Sequence, residues 1–306
     1  MRCKHLLIAL VYGALGALEL FGHAATAQES GTLRKIKETG IITLGFRERS
    51  IPFSYLDRQQ RPLGYSIELC QRVVDAVRER LKLPGLEVKF RPVTSANRFS
   101  FVANGIVDLE CGSTSNTVDR QKDVAFTLTI FVATSSLMSK RQSGFESMSD
   151  LKGQTVVTTA GSTYLRALAD ANRNLGLDMA VIVGKDHADA FQLLETGRAP
   201  VFVMDDALVY GLAANARRPA DYAIHGVDLS VEPYGIMLRK GDPEFKKIAD
   251  EALAEVFKSG EIHQIYQKWF QAPIAPNGIV LHLPMGAVLK RVIGAPTDSG
   301  NPADYR

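Results

Sequence analysis

The sequence predicts an α/β protein built from two successive units of sheet and helix. Three observations predict it. Short β-rich runs alternate with amphipathic helical stretches, the order expected of parallel strands joined by crossover helices. The alternation occurs twice, on either side of a polar stretch at residues 140–149. The length of 306 residues suits two domains of about 150 residues each.

In the first unit, residues 41–46 (IITLGF) form a β-rich run, entered from a helix that Thr32 caps and Gly40 ends. Ser66 then caps a helix in which Ile67, Cys70, Val73, Val74, Val77 and Leu81 recur at helical spacing. Residues 87–92 read as a strand, 95–104 as a helix that Gly105 ends, and 107–111 as another strand. The second unit has strands at 155–159, 180–183 and 199–204, with helices at 162–175, 186–196 and 205–216. A third region follows at 234–240, then helices at 243–257 and 261–270. Asp242 and Pro243 suit the N-cap and first position of the earlier helix. Residues 271–306 are rich in Pro and Gly, with one short helical piece near 286–292, and read as a strap or a mobile tail.

Charged residues at 23% and hydrophobic residues at 46% exclude disordered, collagen-like and disulfide-dense chains. The net charge of +3 is spread along the chain without a block of like charges. That argues against a nucleic-acid tail and against a polybasic membrane patch. Zinc patterns of the CxxC…CxxC or HExxH kind do not occur.

Residues 1–27 read as a secretory signal. Arg2 and Lys4 open it, an apolar run follows from residue 6 to 18, and Ala25, Thr26 and Ala27 make a small-x-small cleavage site. The run is too short for a membrane span, and Glu19 and His23 close it off. Without a lipobox cysteine near that site, the expected product is a soluble, exported chain. Cys70 and Cys111 remain after cleavage. In an oxidising compartment they could pair, but their spacing does not establish it, and the reading adopted is two separately buried thiols.

In open parallel sheets ligands bind beyond the carboxyl ends of the strands. That rule selects the loops at Arg47, at Ser95 to Arg98, at 112–120, at 159–163, at Asp186 and His187, and at Asp205. Basic and hydroxyl side chains dominate them, which suits a small, polar, anionic ligand.

These residues carry a resemblance. The segments GYSIELC, VTSANR, GIVDLECGSTSNTVDRQKDVAF, DLKGQTVVTTAGSTY and YGIMLRKGDPEFKKI lie in order between about residues 31 and 275. In them the chain resembles the periplasmic solute-binding proteins (family 3, type II) of polar amino acid ABC transporters, and within these the glutamate/aspartate-binding subfamily. The resemblance implies a two-lobed periplasmic-binding-protein-like α/β fold, each lobe a mostly parallel sheet flanked by helices, with ligand in the cleft. Lobe 1 would comprise residues 28–134 and 232–306, with a C-terminal strap from 271, and lobe 2 residues 135–231. It also implies a periplasmic, monomeric, non-enzymatic carrier that hands L-glutamate or L-aspartate to the permease subunits of an importer. No cofactor, metal or nucleic acid enters this expectation.

Carried over residue by residue, the resemblance gives Arg120 the ligand α-carboxylate, with Ser113 and Ser115 as further donors. Relatives tend to have threonine where Ser115 stands. Asp205 would accept from the α-ammonium group, and Thr163 would add a hydroxyl near a helix N-terminus. Arg47, Ser95, Arg98 and His187 would face the side-chain carboxylate. Three arginines against Asp205 leave an excess of two positive charges, which favours an acidic ligand over an amide.

Taken singly, these residues have plainer accounts. Loop arginines are commonly solvated, Asp205 could simply cap a helix, His187 could be a first-turn residue, and Phe53 and Tyr55 could be core or cleft. An alternative function is an enzyme on the same fold, of the cyclohexadienyl or arogenate dehydratase kind, with Glu48, Glu110 and His187 as the candidate acids and bases. Another is a binding protein for a different amino acid or a small dicarboxylate.

Overall fold

The computed structural model describes residues 31–306, so the expected signal at 1–27 lies outside the described residues. The chain runs α1 (Gly31–Thr39), β1 (Ile41–Phe46), β2 (Arg49–Ser50), β3 (Ser54–Leu56), β4 (Pro62–Leu63), α2 (Tyr65–Leu81), β5 (Glu87–Pro92), α3 (Arg98–Ala103), β6 (Leu109–Glu110) and β7 (Val124–Phe126). It continues through β8 (Phe131–Lys140), β9 (Thr155–Thr159), α4 (Tyr164–Leu175), β10 (Ala180–Gly184), α5 (His187–Glu195), β11 (Val201–Asp205), α6 (Asp206–Ala214) and β12 (Tyr222–Tyr234). It ends with β13 (Met237–Arg239), α7 (Pro243–Lys258), α8 (Glu261–Phe270) and α9 (Ala287–Gly294).

Two five-stranded sheets result. The first has the order β5-β1-β6-β13-β7 and the second β10-β9-β11-β8-β12. In each, three neighbouring strands are parallel, the fourth (β13 or β8) runs antiparallel, and the fifth (β7 or β12) pairs antiparallel with the fourth. A small antiparallel sheet, β2-β3-β4, stands beside the first. This is the two-lobed α/β architecture. Crossover helices cover each parallel core, and loops at the strand carboxyl ends are left to line the space between lobes.

The long strands β8 and β12 connect the two lobes. They pair antiparallel from Phe131 opposite Tyr234 to Lys140 opposite Tyr222, with a register shift between Gly226 and Val231. Their roots are seated in aromatic packing: Phe131 and Tyr234 contact Phe53, and Phe131 stacks on Phe270 at a centroid distance of 5.1 Å. Each such pair contributes about 0.5–1.5 kcal/mol beyond area burial, so the crossing strands leave a rigid base. Phe53 and Tyr55 are therefore core residues, 0% and 1% exposed.

Two expectations need correction. Ser66 does not cap α2; it is buried one residue inside the helix, and the N-cap is Gly64. Gly64 has φ 136°, and a Cβ there would run into the Phe53 carbonyl, so the turn requires glycine. Cys70 and Cys111 are not separate thiols. They form a disulfide with Cα atoms 6.2 Å apart, because α2 lies across the sheet face and brings Cys70 over the end of β6. Of the two readings of the C-terminal segment, the packing favours the strap. Tyr305 is buried, its hydroxyl is 2.7 Å from Thr129 Oγ1 and donates to the Ser299 carbonyl, and the Asp298 carbonyl accepts from Asn116 Nδ2 at 2.8 Å.

Candidate functional site

The strand carboxyl ends deliver a polar cluster into the space between the sheets. Arg47 follows β1, Ser95 and Arg98 follow β5, and Ser113, Ser115 and Arg120 follow β6. From the other sheet come Thr163 after β9, His187 after β10 and Asp205 at the end of β11. Arg47, Ser95, Arg98, Ser113, Ser115, His187 and Asp205 are all buried; Arg120 and Thr163 are partly buried. Buried arginines in loops are unusual, and here they stand together.

Their contacts are specific. Arg47 Nη2 donates to Ser95 Oγ at 2.8 Å. Arg98 Nη1 donates to Thr114 Oγ1 at 2.6 Å, and that hydroxyl donates on to Glu110 Oε2 at 2.6 Å. Arg120 Nη1 donates to the Ser115 carbonyl at 2.8 Å, and its Nη2 reaches the Gly161 carbonyl of the other lobe at 3.1 Å. The Phe99 ring lies under both Arg98 and Arg120, 5.2 and 5.1 Å from the guanidinium carbons. Such cation–π contacts hold the arginines in place without neutralising them.

Four buried polar atoms of this cluster have no hydrogen-bond partner: Arg47 Nη1, Arg98 Nε, Ser113 Oγ and His187 Nε2. Unmade bonds on buried groups cost about 1–3 kcal/mol each, so they mark a place where a ligand supplies acceptors. The electrostatics agree. Burial, then the Arg98 charge, lowers the Arg47 guanidinium to about 10, and the same two causes lower Arg120 to about 10. Burial and the charges of Arg47 and Arg98 push His187 well below its usual 6.5, so the ring is neutral. His187 Nδ1 is 2.9 Å from Thr159 Oγ1; with the threonine donating, the ring proton sits on the unpartnered Nε2.

Asp205, on the other sheet, is 1% exposed. It is the residue before α6 but makes no side-chain cap; Asp206 accepts from its own helix, at Ala207 N. Asp205 Oδ1 lies 3.3 Å from the Tyr164 hydroxyl. Burial first, and Glu232 second, raise its pKa well above the ordinary carboxylate range. A cation beside Asp205 would offset both causes.

Glu232, Glu110, Thr114 and Phe99 were not among the expected binding residues. Glu110 and Thr114 form a relay behind Arg98, and Glu232 accepts from Thr163 Oγ1 at 2.9 Å. With Glu110 and Glu232 the formal excess of two positive charges disappears, and the arginines and the buried carboxylates interleave: Glu110 acts on Arg47 and Arg98, and Asp205 with Glu232 on Arg120. The run ECGSTSNT contained a signal for Thr114; Glu232 sits in no recognisable motif. Glu48, a candidate acid for the enzymatic alternative, is exposed outside the cluster.

The model of the bacterial extracellular solute-binding proteins, family 3, matches residues 42–272. The chain belongs to this family. It is 47% identical over 291 residues, 95% of this chain and 96% of the relative, to the L-glutamate/L-aspartate-binding protein of Pseudomonas aeruginosa. It is 42% identical to the glutamate/aspartate import solute-binding protein of Escherichia coli, covering 93% of this chain and 96% of that one. Among solved structures, a mutant of ArgBP from T. maritima superposes with a TM-score of 0.68 at 26% identity, covering 78% of this chain and 98% of that chain. An ancestral amino acid-binding protein, described as a precursor of cyclohexadienyl dehydratase, gives 0.66 at 25% identity over 78% of this chain and 99% of its own.

Proposed function

We propose that this protein is the periplasmic binding component of an ABC importer, capturing L-glutamate or L-aspartate between its lobes and delivering it to the membrane permease. Lobe 1 comprises residues 28–134 and 232–306, lobe 2 residues 135–231, and the working form is a monomer exported by cleavage after Ala27. The observation that carries this reading is the set of buried arginines with unpartnered donors beside the buried carboxylates Asp205 and Glu232. An acidic amino acid has the matching pattern of two carboxylates and one ammonium group. Its relatives named for glutamate and aspartate support the same ligand class.

Arg120, with Ser113, Ser115 and the backbone amides of the Thr163 turn, holds the α-carboxylate. Asp205 takes the ammonium, and Arg47, Ser95, Arg98 and neutral His187 enclose the side-chain carboxylate. Paired guanidinium–carboxylate bonds are among the strong polar contacts. An amide ligand would offer the unpartnered Arg47 and Arg98 donors a neutral oxygen and an N–H group in place of a carboxylate, a weaker and partly mismatched contact. The site binds and releases; it performs no turnover.

Titration of Arg120→Ala and Arg98→Ala variants with L-glutamate and L-glutamine tests the assignment. Arg120→Ala abolishes binding of any amino acid. Arg98→Ala weakens L-glutamate by about a hundredfold, the equivalent of roughly 3 kcal/mol, and leaves any weak L-glutamine binding little changed. Micromolar glutamate binding by Arg120→Ala, or equal losses for acid and amide in Arg98→Ala, contradicts it.

A further inference from the structure

Glu232 lies on β12, one of the two strands crossing between lobes, and is 3% exposed. It pairs in register with Ala133 of β8, just beyond the shift at Gly226 to Val231. Its Oε1 accepts two hydroxyl protons, from Thr163 Oγ1 at 2.9 Å and from Ser230 Oγ at 2.7 Å. Ser230 is held in turn by Ser135 of β8, whose Oγ accepts from Ser230 N at 2.8 Å. The carboxylate is thus built into the connecting strands, with its orientation set from both lanes of the pair.

A hydroxyl has one proton to give. The Thr163 proton goes to Glu232, so the oxygen has only lone pairs left to offer the cleft. That suits a donor such as an ammonium group and repels a ligand oxygen. Glu232 also acts on its neighbours. Its charge is the second cause that raises Asp205, and it is the leading favourable influence on the Arg120 guanidinium.

We infer that Glu232 is a positioning residue that makes the site demand an ammonium group, by orienting the Thr163 hydroxyl as an acceptor and by adding negative potential beside Asp205. It thereby separates acidic amino acids from 2-oxo and 2-hydroxy dicarboxylates of the same length, which present the same two carboxylates without the cation. This rests on the proposed glutamate and aspartate binding and deepens it. A carboxylate kept only as a structural brace would not distinguish these ligands, because its hydrogen bonds would serve both alike.

The test compares L-glutamate and 2-oxoglutarate by calorimetric titration of the wild type and of Glu232→Gln, with thermal melting of each ligand-free protein. In Glu232→Gln, L-glutamate affinity falls about tenfold, as expected for losing one charge several ångströms from a buried cation. Affinity for 2-oxoglutarate is unchanged or improved, and the melting temperature holds or rises because a like charge beside Asp205 is gone. Thr163→Val, which deletes the oriented acceptor and keeps the carboxylate, narrows the same preference and serves if Glu232→Gln does not fold. Equal losses for both ligands with a lower melting temperature, or an unchanged preference in both variants, overturn the inference. If the wild type binds neither L-glutamate nor L-aspartate, the functional reading itself fails and this inference with it. An intact wild-type preference that the variants do not alter overturns this inference alone.

Discussion

Asp205 illustrates how the site holds groups that folding alone would disfavour. Its pKa is raised in the folded, ligand-free chain by burial and by Glu232. A carboxyl group raised on folding contributes stability that is fully present below its unfolded value, about 3.9, and lost as pH rises through the folded value. The ligand-free protein is therefore strained by this residue at pH 8. Asp205→Asn should raise the melting temperature there by about 3 °C, narrow the gap to wild type as the pH is lowered, and abolish L-glutamate binding. A variant that melts lower than wild type at pH 8 would contradict this. At this scale the placement was legible: Arg47, Ser95, Arg98, Ser113, Ser115, Arg120, Thr163, His187 and Asp205 all stand at or just beyond strand carboxyl ends, whereas Asp186, picked by the same strand-end rule, caps α5. Glu232 and Glu110 were not legible as binding-site supports, because a lone acid in a strand carries no spacing signal and its role depends on a partner far along the chain.

Among the elements, the loop between β6 and β7 supplies Ser113, Ser115 and Arg120, and it is fastened at both ends. The Cys70–Cys111 disulfide anchors its start to α2. Asn116 N donates to the Pro233 carbonyl, and the Asn116 side chain reaches the C-terminal strap at Asp298. The disulfide closes a separation of 41 residues, for which chain-entropy reasoning gives about 4 kcal/mol. Replacing both cysteines by alanine should therefore lower unfolding stability by about that amount in a denaturant titration, and weaken ligand binding by loosening the loop. A loss below about 1 kcal/mol would show that the reduced chain is already constrained there. Sequence patterning located β1, β5, β9 and α8 to the residue because each is a local run with clear apolar spacing. The strands β8 and β12 escaped it. Both carry polar residues, β12 also holds Gly226 and Pro233, and they are strands because they pair with each other although 81 residues separate Lys140 from Tyr222.

Across the whole molecule, the lobes meet. Arg120 reaches the Gly161 carbonyl, Arg166 of α4 pairs with Asp119 at 3.0 Å, and Asn277 of the strap bonds Asn215 of α6. Gly211 of α6 packs so closely on Ile51 that a Cβ would run into the Ile51 carbonyl. In this closed arrangement the cleft residues are buried, whereas hinge opening on β8 and β12 would expose them, and a ligand favours closure by the contacts it makes only there. Gly211→Ala acts as a small wedge against the closed state alone. It should weaken L-glutamate about tenfold and raise the dissociation rate; undiminished affinity would mean that the lobes need not come this close. The two-lobed plan was legible from the repeated alternation of strand and helix. The closeness of the lobes was not, since it depends on glycines that meet backbone from the other half of the chain.

Buried arginines and carboxylates together select a ligand with two carboxylates and one ammonium group. Calorimetric titration of unfolded, ligand-stripped and refolded protein with L-glutamate, L-aspartate, L-glutamine and L-asparagine tests this selection most directly. Tight one-to-one binding of the two acids, with the amides at least about a hundredfold weaker, is the predicted result. Binding of the amides as tightly as the acids, or of none of the four, would contradict it.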